Sequence, residues 1–457
     1  MVVGASGDLA KKKTYPSLLE LWKTKLLPEK TVIWGFARTK KTHEELREHL
    51  RPTLLKESGD NDEASVDAFL ELCFYSSGKS YGDWAVLWHL LQSNEDWLHN
   101  LLVYLSIPPH VFAESTLAVK TALCEAKVPG FVRIILEKPF GRDTDSCNEL
   151  LQTLNDQAWD EKDLYRIDHY LGKEMVQNIL TLRQHNPWLA SLWNKDAVES
   201  VHLVFKESFG TEGRGGYFDE YGIIRDILQN HLMQVLTLVA MDLPEKINND
   251  SIRDAKVNVV KSMPKILLKD VLVGQYLGYT DDATIENKDT ISPTYACLRC
   301  WVNTDTWKGV PFIMEAGKAL DERICEVRIN FKGGKQNSFV MRLQPTPAVF
   351  FTANMKTPGY SKTPISTHLG VDYGEAEKPG AYTRLILDVL RGQQASFVRD
   401  DELKAAWALF TPILSEMERI NHRPESYEYG TTGPRNREQF LCDMGVRDSS
   451  LPLPSAL

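Results

Sequence analysis

Residues 166–174, with the sequence RIDHYLGKE, bring several reactive side chains into one short segment. Asp168, His169, Tyr170 and Lys173 place an acid, an imidazole, a phenol and an ammonium group within six positions. A segment so rich in ionisable groups makes a poor core strand or core helix, because buried charges are costly unless they are paired. It suits a site that holds an anion and moves a proton.

Two histidines could act as the base in such a site, since imidazole titrates near neutral pH. His169 lies in the RIDHYLGKE segment, and His231 lies in a helical pattern over 222–239 that also carries Asp226. In an α-helix Asp226 and His231 would lie about 140° apart, so they could flank one cleft without contacting each other well. A lone histidine on an amphipathic helix is usually a core residue, and the residues alone leave both histidines as candidates.

A glycine turn near the N-terminus could hold a pyrophosphate. The segment GASGDLA at 4–10 follows a short apolar strand and opens a helical pattern. Gly4 and Gly7 let the backbone turn tightly and approach a phosphate, which binds to the N–H groups at the helix start. Lysines at 11–13 add positive charge. The spacing is GxxGxxA instead of GxGxxG, so a glycine turn without a ligand stays an alternative.

The end of the second strand predicts which dinucleotide binds. Enzymes that use NAD place an acid there for the ribose hydroxyl, whereas NADP enzymes tend to place an arginine for the 2′-phosphate. Here the strand 31–36 is followed by Arg38, and no acid precedes His43. The planar guanidinium of arginine matches a phosphate dianion. We therefore expect NADP, with a solvated basic turn as the alternative.

Three motifs together resemble the glucose-6-phosphate dehydrogenase family: RIDHYLGKE at 166–174, GASGDLAKKK at 4–13 and EKPFG at 137–141. The resemblance extends from Val2 to about Leu441. It implies that the chain oxidises glucose 6-phosphate at C1 to 6-phosphogluconolactone and transfers a hydride to NADP, the first step of the oxidative pentose phosphate pathway. We also expect a homodimer or homotetramer.

The resemblance also implies roles for individual residues. His231 is the implied general base, Asp168 is its carboxylate partner, and Lys138 lies between cofactor and sugar, next to a cis bond to Pro139. The implied substrate contacts are Lys138, His169, Tyr170, Lys173, Glu207, Asp226, Lys318, Arg323 and Gln344. The expected cofactor contacts, from the glycine and arginine motifs and the resemblance together, are Gly4, Ser6, Gly7, Asp8, Leu9, Arg38, Pro108 and Lys138.

Two other functions compete with this one. A related NADP-dependent sugar dehydrogenase would be expected to lose the phosphate-binding cluster of His169, Tyr170 and Lys173, and a non-catalytic NADPH-binding protein would tolerate loss of His231 or Asp168. All five residues are present.

Composition excludes some classes of partner. The 457 residues are 43% hydrophobic and 25% charged, as in ordinary soluble globular proteins. The net charge of −9 argues against a nucleic-acid partner, for which a basic face is expected. No apolar run approaches the roughly 20 residues of a membrane span, so no membrane partner is expected.

Seven scattered cysteines favour reduced thiols and a cytoplasmic location. Cys297 and Cys300 form a CxxC without a second Cys or His cluster nearby. We therefore expect two strand residues there and no metal site.

Two patterns of elements predict the fold. Up to about residue 165, buried apolar strands alternate with helices, which favours a parallel, doubly wound sheet. Later strands mostly alternate between apolar and polar residues, which favours an antiparallel sheet covered on one side. We predict an α/β domain of Rossmann type over 1–165 that binds NADP, and a larger α+β domain over 166–457 for substrate binding and oligomerisation. Segments 60–63 and 355–378 are predicted to be mobile loops.

Overall fold

The computed structural model describes residues 1–58, 62–83, 100–126, 128–333, 337–356, 358–360, 362–372 and 378–444. These residues divide into two compact units. Unit 1 comprises Met1–Gly172, Asn248–Arg253 and Lys378–Lys404. Unit 2 comprises the described residues of Lys173–Ile247, Asp254–Glu377 and Ala405–Leu457. The first unit therefore takes up two later segments in addition to the N-terminal one.

Unit 1 is built on a parallel sheet, as predicted for a Rossmann-type domain. Its six strands within the described ranges are β1 (Val2–Val3), β2 (Ile33–Ala37), β3 (Cys73–Ser77), β4 (Leu101–Leu105), β5 (Val132–Glu137) and β6 (Leu164–Ile167). Their order is β3-β2-β1-β4-β5-β6, and every neighbouring pair is parallel. The chain reverses direction across the sheet between β1 and β4. In open α/β sheets ligands bind at such a reversal, outside the carboxyl ends of the strands.

The helices of unit 1 cover this sheet. They are the π-helical turn Ala10–Thr14, which continues into Tyr15–Lys23, then His43–Ser58, Glu63–Leu70, Phe112–Ala126, Thr144–Asp156 and Ala381–Arg391, with 3₁₀ turns at Pro109–Val111, Glu161–Asp163 and His169–Gly172. The helix Ala381–Arg391 buries Leu385, Ile386 and Val389 against Tyr165 and other residues of the sheet. Each such aliphatic side chain contributes on the order of 1.5–3 kcal/mol when it is fully buried.

Unit 2 contains a nine-stranded sheet that is mostly antiparallel. Its described strands are β7 (Val198–Lys206), β8 (Val271–Tyr276), β9 (Tyr295–Trp301), β10 (Pro311–Gly317), β11 (Ile324–Phe331), β12 (Ser338–Gln344), β13 (Ala348–Lys356), β14 (Pro364–Asp372) and β15 (Glu425–Tyr427). The order is β14-β13-β12-β11-β7-β10-β9-β8-β15. The antiparallel prediction is confirmed with two exceptions, because β7 pairs with β10, and β8 with β15, in parallel.

The strand β14 corrects the prediction of a mobile loop over 355–378. It pairs with β13 along its whole length, from Asp372 opposite Ala348 to Pro364 opposite Lys356. Residues 357, 361 and 373–377 of the predicted loop lie outside the described residues. The other predicted loop, 60–63, lies partly outside the described residues, and its last residue opens the helix Glu63–Leu70.

The remaining helices are Glu174–His185, Gly215–Ile223, the π-helix Ile224–Leu232, Met233–Ala240, Asn249–Ser262, Asp400–Arg419 and Arg437–Asp443, with 3₁₀ turns at Pro187–Ser191, Leu268–Asp270 and Tyr279–Asp281. Cys297 and Cys300 are buried residues of β9, as predicted. Residues three apart on a strand point to opposite faces, so these two thiols face apart. Among the described helices, none is long and apolar enough to cross a membrane.

Candidate active site

The glycine turn lies at the carboxyl end of β1, in the middle of the parallel sheet. Gly4 has a φ of +83°, and a Cβ there would lie 2.2 Å from the carbonyl oxygen of Ser106. The position therefore requires glycine on two counts. The N–H of Gly4 donates to the Phe36 carbonyl at 2.7 Å, and the N–H of Gly7 donates to the Gly4 carbonyl at 2.9 Å. These bonds fix the turn against β2 and lead it into the first helix.

The helix that follows carries positive charge. Its first residues are π-helical over Ala10–Thr14 and include the three lysines of the sequence motif. Lys12 forms an exposed ion pair with Asp8 at 2.7 Å, and such surface pairs contribute little to stability. The first turn of a helix presents backbone N–H groups and a partial positive charge, which suits an anion.

Arg38 comes directly after Ala37, the last residue of β2, and is exposed. Its guanidinium carbon lies 5.1 Å from the centroid of the Tyr81 ring. This cation–π contact holds the guanidinium beside a flat aromatic surface. The glycine turn and the exposed arginine follow the neighbouring strands β1 and β2, and this arrangement fits the pyrophosphate and the 2′-phosphate of NADP. Sequence reasoning found Arg38 but gave no role to Tyr81.

The carboxyl end of β5 carries a buried acid before the expected lysine. Glu137 is buried and accepts a hydrogen bond from the Tyr104 hydroxyl on β4. Burial raises the pKa of Glu137 to about 7, and the nearby Asp168 carboxylate adds to the increase, while Tyr104 and Lys138 oppose it. The Lys138–Pro139 bond is cis, as the resemblance implied. The sequence motif EKPFG contained this glutamate, but nothing in it indicated a buried side chain with a raised pKa.

The charge-dense segment follows β6 at the same edge of the sheet. The Tyr170 N–H donates to Asp168 Oδ1 at 3.0 Å, and the Leu171 N–H donates to the Asp168 carbonyl at 3.0 Å. Asp168 and Tyr170 are buried, whereas His169 is half-buried. The turn therefore fixes the carboxylate and leaves the imidazole more accessible.

Tyr382 is a neighbour of this segment that sequence reasoning missed. Its ring is stacked on that of His169, with centroids 5.8 Å apart and planes 5° apart. Burial raises the pKa of Tyr382, with the carboxylates of Glu137 and Asp168 adding to the increase. Tyr382 belongs to the helix Ala381–Arg391, and no local pattern could place it against residues 213 positions earlier in the chain.

In unit 2, His231 lies in a π-helix instead of the predicted α-helix. The π-helix spans Ile224–Leu232, and the imidazole of His231 is 2% exposed. Hydrogen bonds in a π-helix join residues five apart, so Asp226 and His231 are one turn apart instead of 140° apart. π-Helical turns are rare in proteins, and those that are found often lie at functional sites.

Two of the predicted substrate residues form an ion pair in unit 2. The Lys318 ammonium lies 2.5 Å from Glu207 Oε2, and both side chains are mostly buried. The Lys318 nitrogen also lies 5.1 Å from the centroid of the Phe218 ring. Glu207 follows the last residue of β7, and Lys318 follows the last residue of β10, so the parallel pairing of these strands brings the two together.

A second pair joins Lys173 and Gln344. The Lys173 ammonium donates to Gln344 Oε1 at 2.5 Å, and Gln344 is the last residue of β12. Arg323 is exposed, with its guanidinium carbon 5.9 Å from the centroid of the Phe209 ring.

Most of the predicted site residues thus fall into three groups, and Asp226, His231 and Arg323 of unit 2 stand outside them. Gly4, Ser6, Gly7, Asp8, Leu9, Arg38, Pro108, Lys138, Asp168, His169 and Tyr170 all lie at the carboxyl edge of the unit 1 sheet. In unit 2, Glu207 meets Lys318, and Lys173 meets Gln344. Asp168 and His231 belong to different units, and their pairing stays a prediction.

Comparison with known proteins decides the family. The family model described as "Glucose-6-phosphate dehydrogenase, NAD binding domain" matches residues 1–178, and that of the C-terminal domain matches residues 180–447. The chain belongs to the glucose-6-phosphate dehydrogenase family.

Individual members of the glucose-6-phosphate dehydrogenase family agree over the whole chain. A cytoplasmic glucose-6-phosphate 1-dehydrogenase of Arabidopsis thaliana is 43% identical over 97% of this chain and 91% of its own. The Drosophila melanogaster enzyme is 43% identical over 96% of this chain and 88% of its own. Chloroplastic isoforms, such as that of Spinacia oleracea, are also 43% identical.

Solved structures of the family share the fold. A glucose-6-phosphate dehydrogenase in complex with its substrate glucose 6-phosphate superposes with a TM-score of 0.91 at 40% identity, covering 98% of this chain and 97% of that one. The Mycobacterium avium enzyme gives a TM-score of 0.86 at 30% identity, over 96% and 95% of the two chains. These matches confirm the predicted family, the predicted fold class and NADP as the cofactor.

Proposed function

We propose the residue roles by which this chain oxidises glucose 6-phosphate at C1 to 6-phosphogluconolactone, with hydride transfer to NADP. The observation that carries the proposal is the carboxyl edge of the parallel sheet. The glycine turn, the exposed Arg38, Lys138 and the buried turn around Asp168 all follow strands at this edge. A dehydrogenase of this family needs these groups, and a binding protein would not need the buried acid and base.

Oxidation of the sugar requires that the C1 hydroxyl lose a proton as a hydride leaves C1. We assign His231, which is buried in a π-helix, as the base that accepts the proton of the C1 hydroxyl. Asp168 is assigned as the carboxylate that orients the imidazole and stabilises its protonated form, as in other acid–histidine pairs. When bound, NADP supplies the nicotinamide ring that accepts the hydride.

The phosphate of the substrate is assigned to His169, Tyr170 and Lys173. A phosphate dianion is held by several charge-assisted hydrogen bonds, each of which contributes on the order of 1.5–3 kcal/mol. The Lys173 ammonium is already oriented by Gln344 Oε1 at 2.5 Å. Less side-chain entropy is therefore lost when it binds the phosphate.

The sugar hydroxyls are assigned to acids of unit 2. Glu207 and Asp226 accept from O–H groups, which carboxylates do readily. Lys318 holds Glu207 at 2.5 Å and offers further donors, and Arg323 adds a second cation on the same loop. Lys138 is assigned to both substrate and cofactor.

The cofactor is assigned to the turn and to the strand ends beside it. Gly4, Ser6, Gly7, Asp8 and Leu9 would hold the pyrophosphate and the adjoining ribose at the helix start. Arg38 would bind the 2′-phosphate and Pro108 would border the nicotinamide; they follow β2 and β4, the two strands that flank β1.

We further propose that the protein is cytoplasmic and acts as a homodimer or homotetramer, without nucleic-acid or membrane partners. The scattered cysteines support the cytoplasmic location and the net charge of −9 argues against a nucleic-acid partner, whereas the oligomer is expected from the resemblance to the family. Sedimentation of the purified protein and fractionation of the source cells test the two parts separately.

Lys173→Ala tests the phosphate assignment. Initial rates are followed at 340 nm with NADP and either glucose 6-phosphate or free glucose. The variant should lower kcat/KM for glucose 6-phosphate by about tenfold or more, since a charge-assisted bond is lost. It should change kcat/KM for free glucose far less, because free glucose has no phosphate to lose.

The same assay separates the competing functions. If both sugars suffer equally from Lys173→Ala, the cluster acts on the sugar ring or on the fold. A wild-type protein that preferred free glucose would be a related sugar dehydrogenase, and one that bound NADPH without turnover would be a binding protein. Gln344→Ala is a milder variant, because it removes the side chain that orients Lys173 and leaves the Lys173 ammonium in place.

A further inference from the structure

The sheet of unit 2 buries a carboxylate that the proposed chemistry does not use. Glu315 lies on β10 and is fully buried. His202 Nε2 lies 3.0 Å from its Oε2, and the Tyr295 hydroxyl donates to its Oε1 at 3.0 Å. The strand register places His202, Tyr295 and Glu315 on one face of the sheet. A carboxylate in such a place is costly unless a cation compensates its charge.

Arg437 supplies that cation. Its Nε donates to Glu315 Oε1 at 2.6 Å and its Nη2 donates to Oε2 at 3.1 Å, so the pair is bidentate. The side chains of Arg437 and Glu315 are 4% and 0% exposed. Burial alone would raise the pKa of Glu315, but the charge of Arg437 and the hydrogen bonds from His202 and Arg437 bring it well below the usual value. The bidentate contact with Arg437 therefore favours the ionised form of the Glu315 carboxylate.

The ion pair fixes one end of a segment that we call the C-terminal strap, residues Glu425–Arg437. The strap begins as β15 at the edge of the sheet and ends at the first residue of the helix Arg437–Asp443. Gly433 has a φ of +123°, and a Cβ there would lie 2.9 Å from the ring of Tyr295. The strap is thus packed closely against β9 as well as anchored to β10.

The strap runs along the substrate loop, residues Gly317–Arg323, which carries Lys318 and Arg323. The Tyr427 hydroxyl donates to the Lys318 carbonyl at 2.7 Å. The Gly430 N–H donates to the Ala319 carbonyl at 2.8 Å, and the Asp321 N–H donates to the Thr431 carbonyl at 2.9 Å. Three successive contacts therefore tie the backbone of the loop to the strap.

Lys206 ties the far side of the same loop. Its ammonium donates to Asp321 Oδ1 at 3.2 Å and to Glu322 Oε1 at 3.1 Å. Burial lowers the pKa of Lys206, but the carboxylates of Glu315, Glu322 and Asp321 raise it above the usual value. Glu315 thus stabilises the charge of Lys206 as well as that of Arg437.

We propose that Arg437 is a positioning residue for Lys318. Through its ion pair with Glu315 it holds the C-terminal strap, and the strap holds the substrate loop so that the Lys318 ammonium meets Glu207. The inference rests on the proposed role of Lys318 and Glu207 as substrate contacts. A misplacement of about 1 Å at such contacts can cost up to about a hundredfold in rate, so a remote anchor has a measurable effect.

Arg437→Met tests the proposal in the full-length protein. We expect KM for glucose 6-phosphate to rise about tenfold, with KM for NADP and kcat changed less than twofold, because contacts to the bound sugar phosphate are weakened and the reacting groups are not. Arg437→Lys keeps the cation and should recover part of the affinity. Arg299→Met is the matched control, because Arg299 pairs with Asp270 on the same face of the sheet, away from the strap.

Lys318→Met separates the substrate role of Lys318 from the positioning role of Arg437. If Lys318→Met raises KM for glucose 6-phosphate and a folded Arg437→Met does not, the positioning role is refuted while the proposed function stands. If Lys318→Met has no effect, the substrate role of Lys318 fails, and the positioning role fails with it.

A purely structural role of Arg437 predicts a different pattern. Both KM values and the melting temperature would then change together, as far as they do in Arg299→Met, and that result also overturns the proposal. If Arg437→Met does not fold, Arg437→Lys and Tyr427→Phe replace it. Tyr427→Phe removes only the hydroxyl that holds the Lys318 carbonyl, and normal KM values for glucose 6-phosphate in both replacements would refute the proposal.

Discussion

Glu137→Gln should stabilise the protein at high pH and leave its stability at low pH nearly unchanged. The folded state raises the pKa of Glu137 from its ordinary value of 4.5 to about 7. Below about pH 4.5 the folded and unfolded states both hold the proton, and the raised pKa costs nothing. As pH rises from there to about 7, the unfolded state releases a proton that the folded state keeps, so stability falls throughout this window.

The size of the effect follows from the same two values. The difference between 4.5 and about 7 corresponds to about 3 kcal/mol, lost in full above pH 7. Glutamine cannot ionise but retains an oxygen that accepts from the Tyr104 hydroxyl, so the variant removes the charge and keeps the hydrogen bond. We therefore expect a gain of up to about 3 kcal/mol at pH 8 and a small change at pH 5.

Urea unfolding of wild type and Glu137→Gln at the two pH values, followed by tryptophan fluorescence, measures this difference. Glu149→Gln is the control, because it makes the same chemical change at an exposed carboxylate, on the helix Thr144–Asp156. If the difference between Glu137→Gln and wild type is the same at pH 5 and pH 8, Glu137 is ionised at little cost and the reasoning is wrong.

Two further variants test the chemistry. His231→Asn should lower kcat by about 10²–10⁴-fold or more with KM for glucose 6-phosphate nearly unchanged, and a near-normal kcat would overturn its assignment as the base. Arg38→Asp should raise KM for NADP strongly and bring kcat/KM for NADP closer to kcat/KM for NAD, because a carboxylate would face the 2′-phosphate. An unchanged ratio of the two kcat/KM values would show that another residue binds that phosphate.

The unit 1 sheet could be predicted because its signals are local. The continuous apolar segment Leu101–Leu105 forms a strand, and the residues after Pro108-Pro109 form the helix Phe112–Ala126. A continuous apolar run identifies a buried strand, and the pair Pro108-Pro109 ends the strand before the helix, since proline cannot donate a ladder hydrogen bond. The three sequence motifs then fall at the ends of such strands.

The errors arose where pairing or helix geometry depends on distant residues. The strand Pro364–Asp372 was predicted as part of a loop, because it forms by pairing with β13 and this pairing is not visible in a local pattern. His231 and Asp226 were placed on an α-helix because a π-helix has no distinct pattern in a single sequence. Tyr382 could not be assigned to the site before the fold was known.

The return of the helix Ala381–Arg391 to unit 1 has a consequence for how the protein is made. The side chains of Leu21, Tyr165 and Ile167 share one core cluster with Leu385 and other residues of that segment. A nascent chain that has reached Gly172 has every strand of the nucleotide-binding sheet but lacks one wall of its core. At about 5–20 residues per second, translation of the next 230 or so residues takes roughly 10–50 seconds. During that time the apolar surface that this helix covers stays exposed on the nascent chain. The core beside the sheet is therefore completed late, although the strands are translated first.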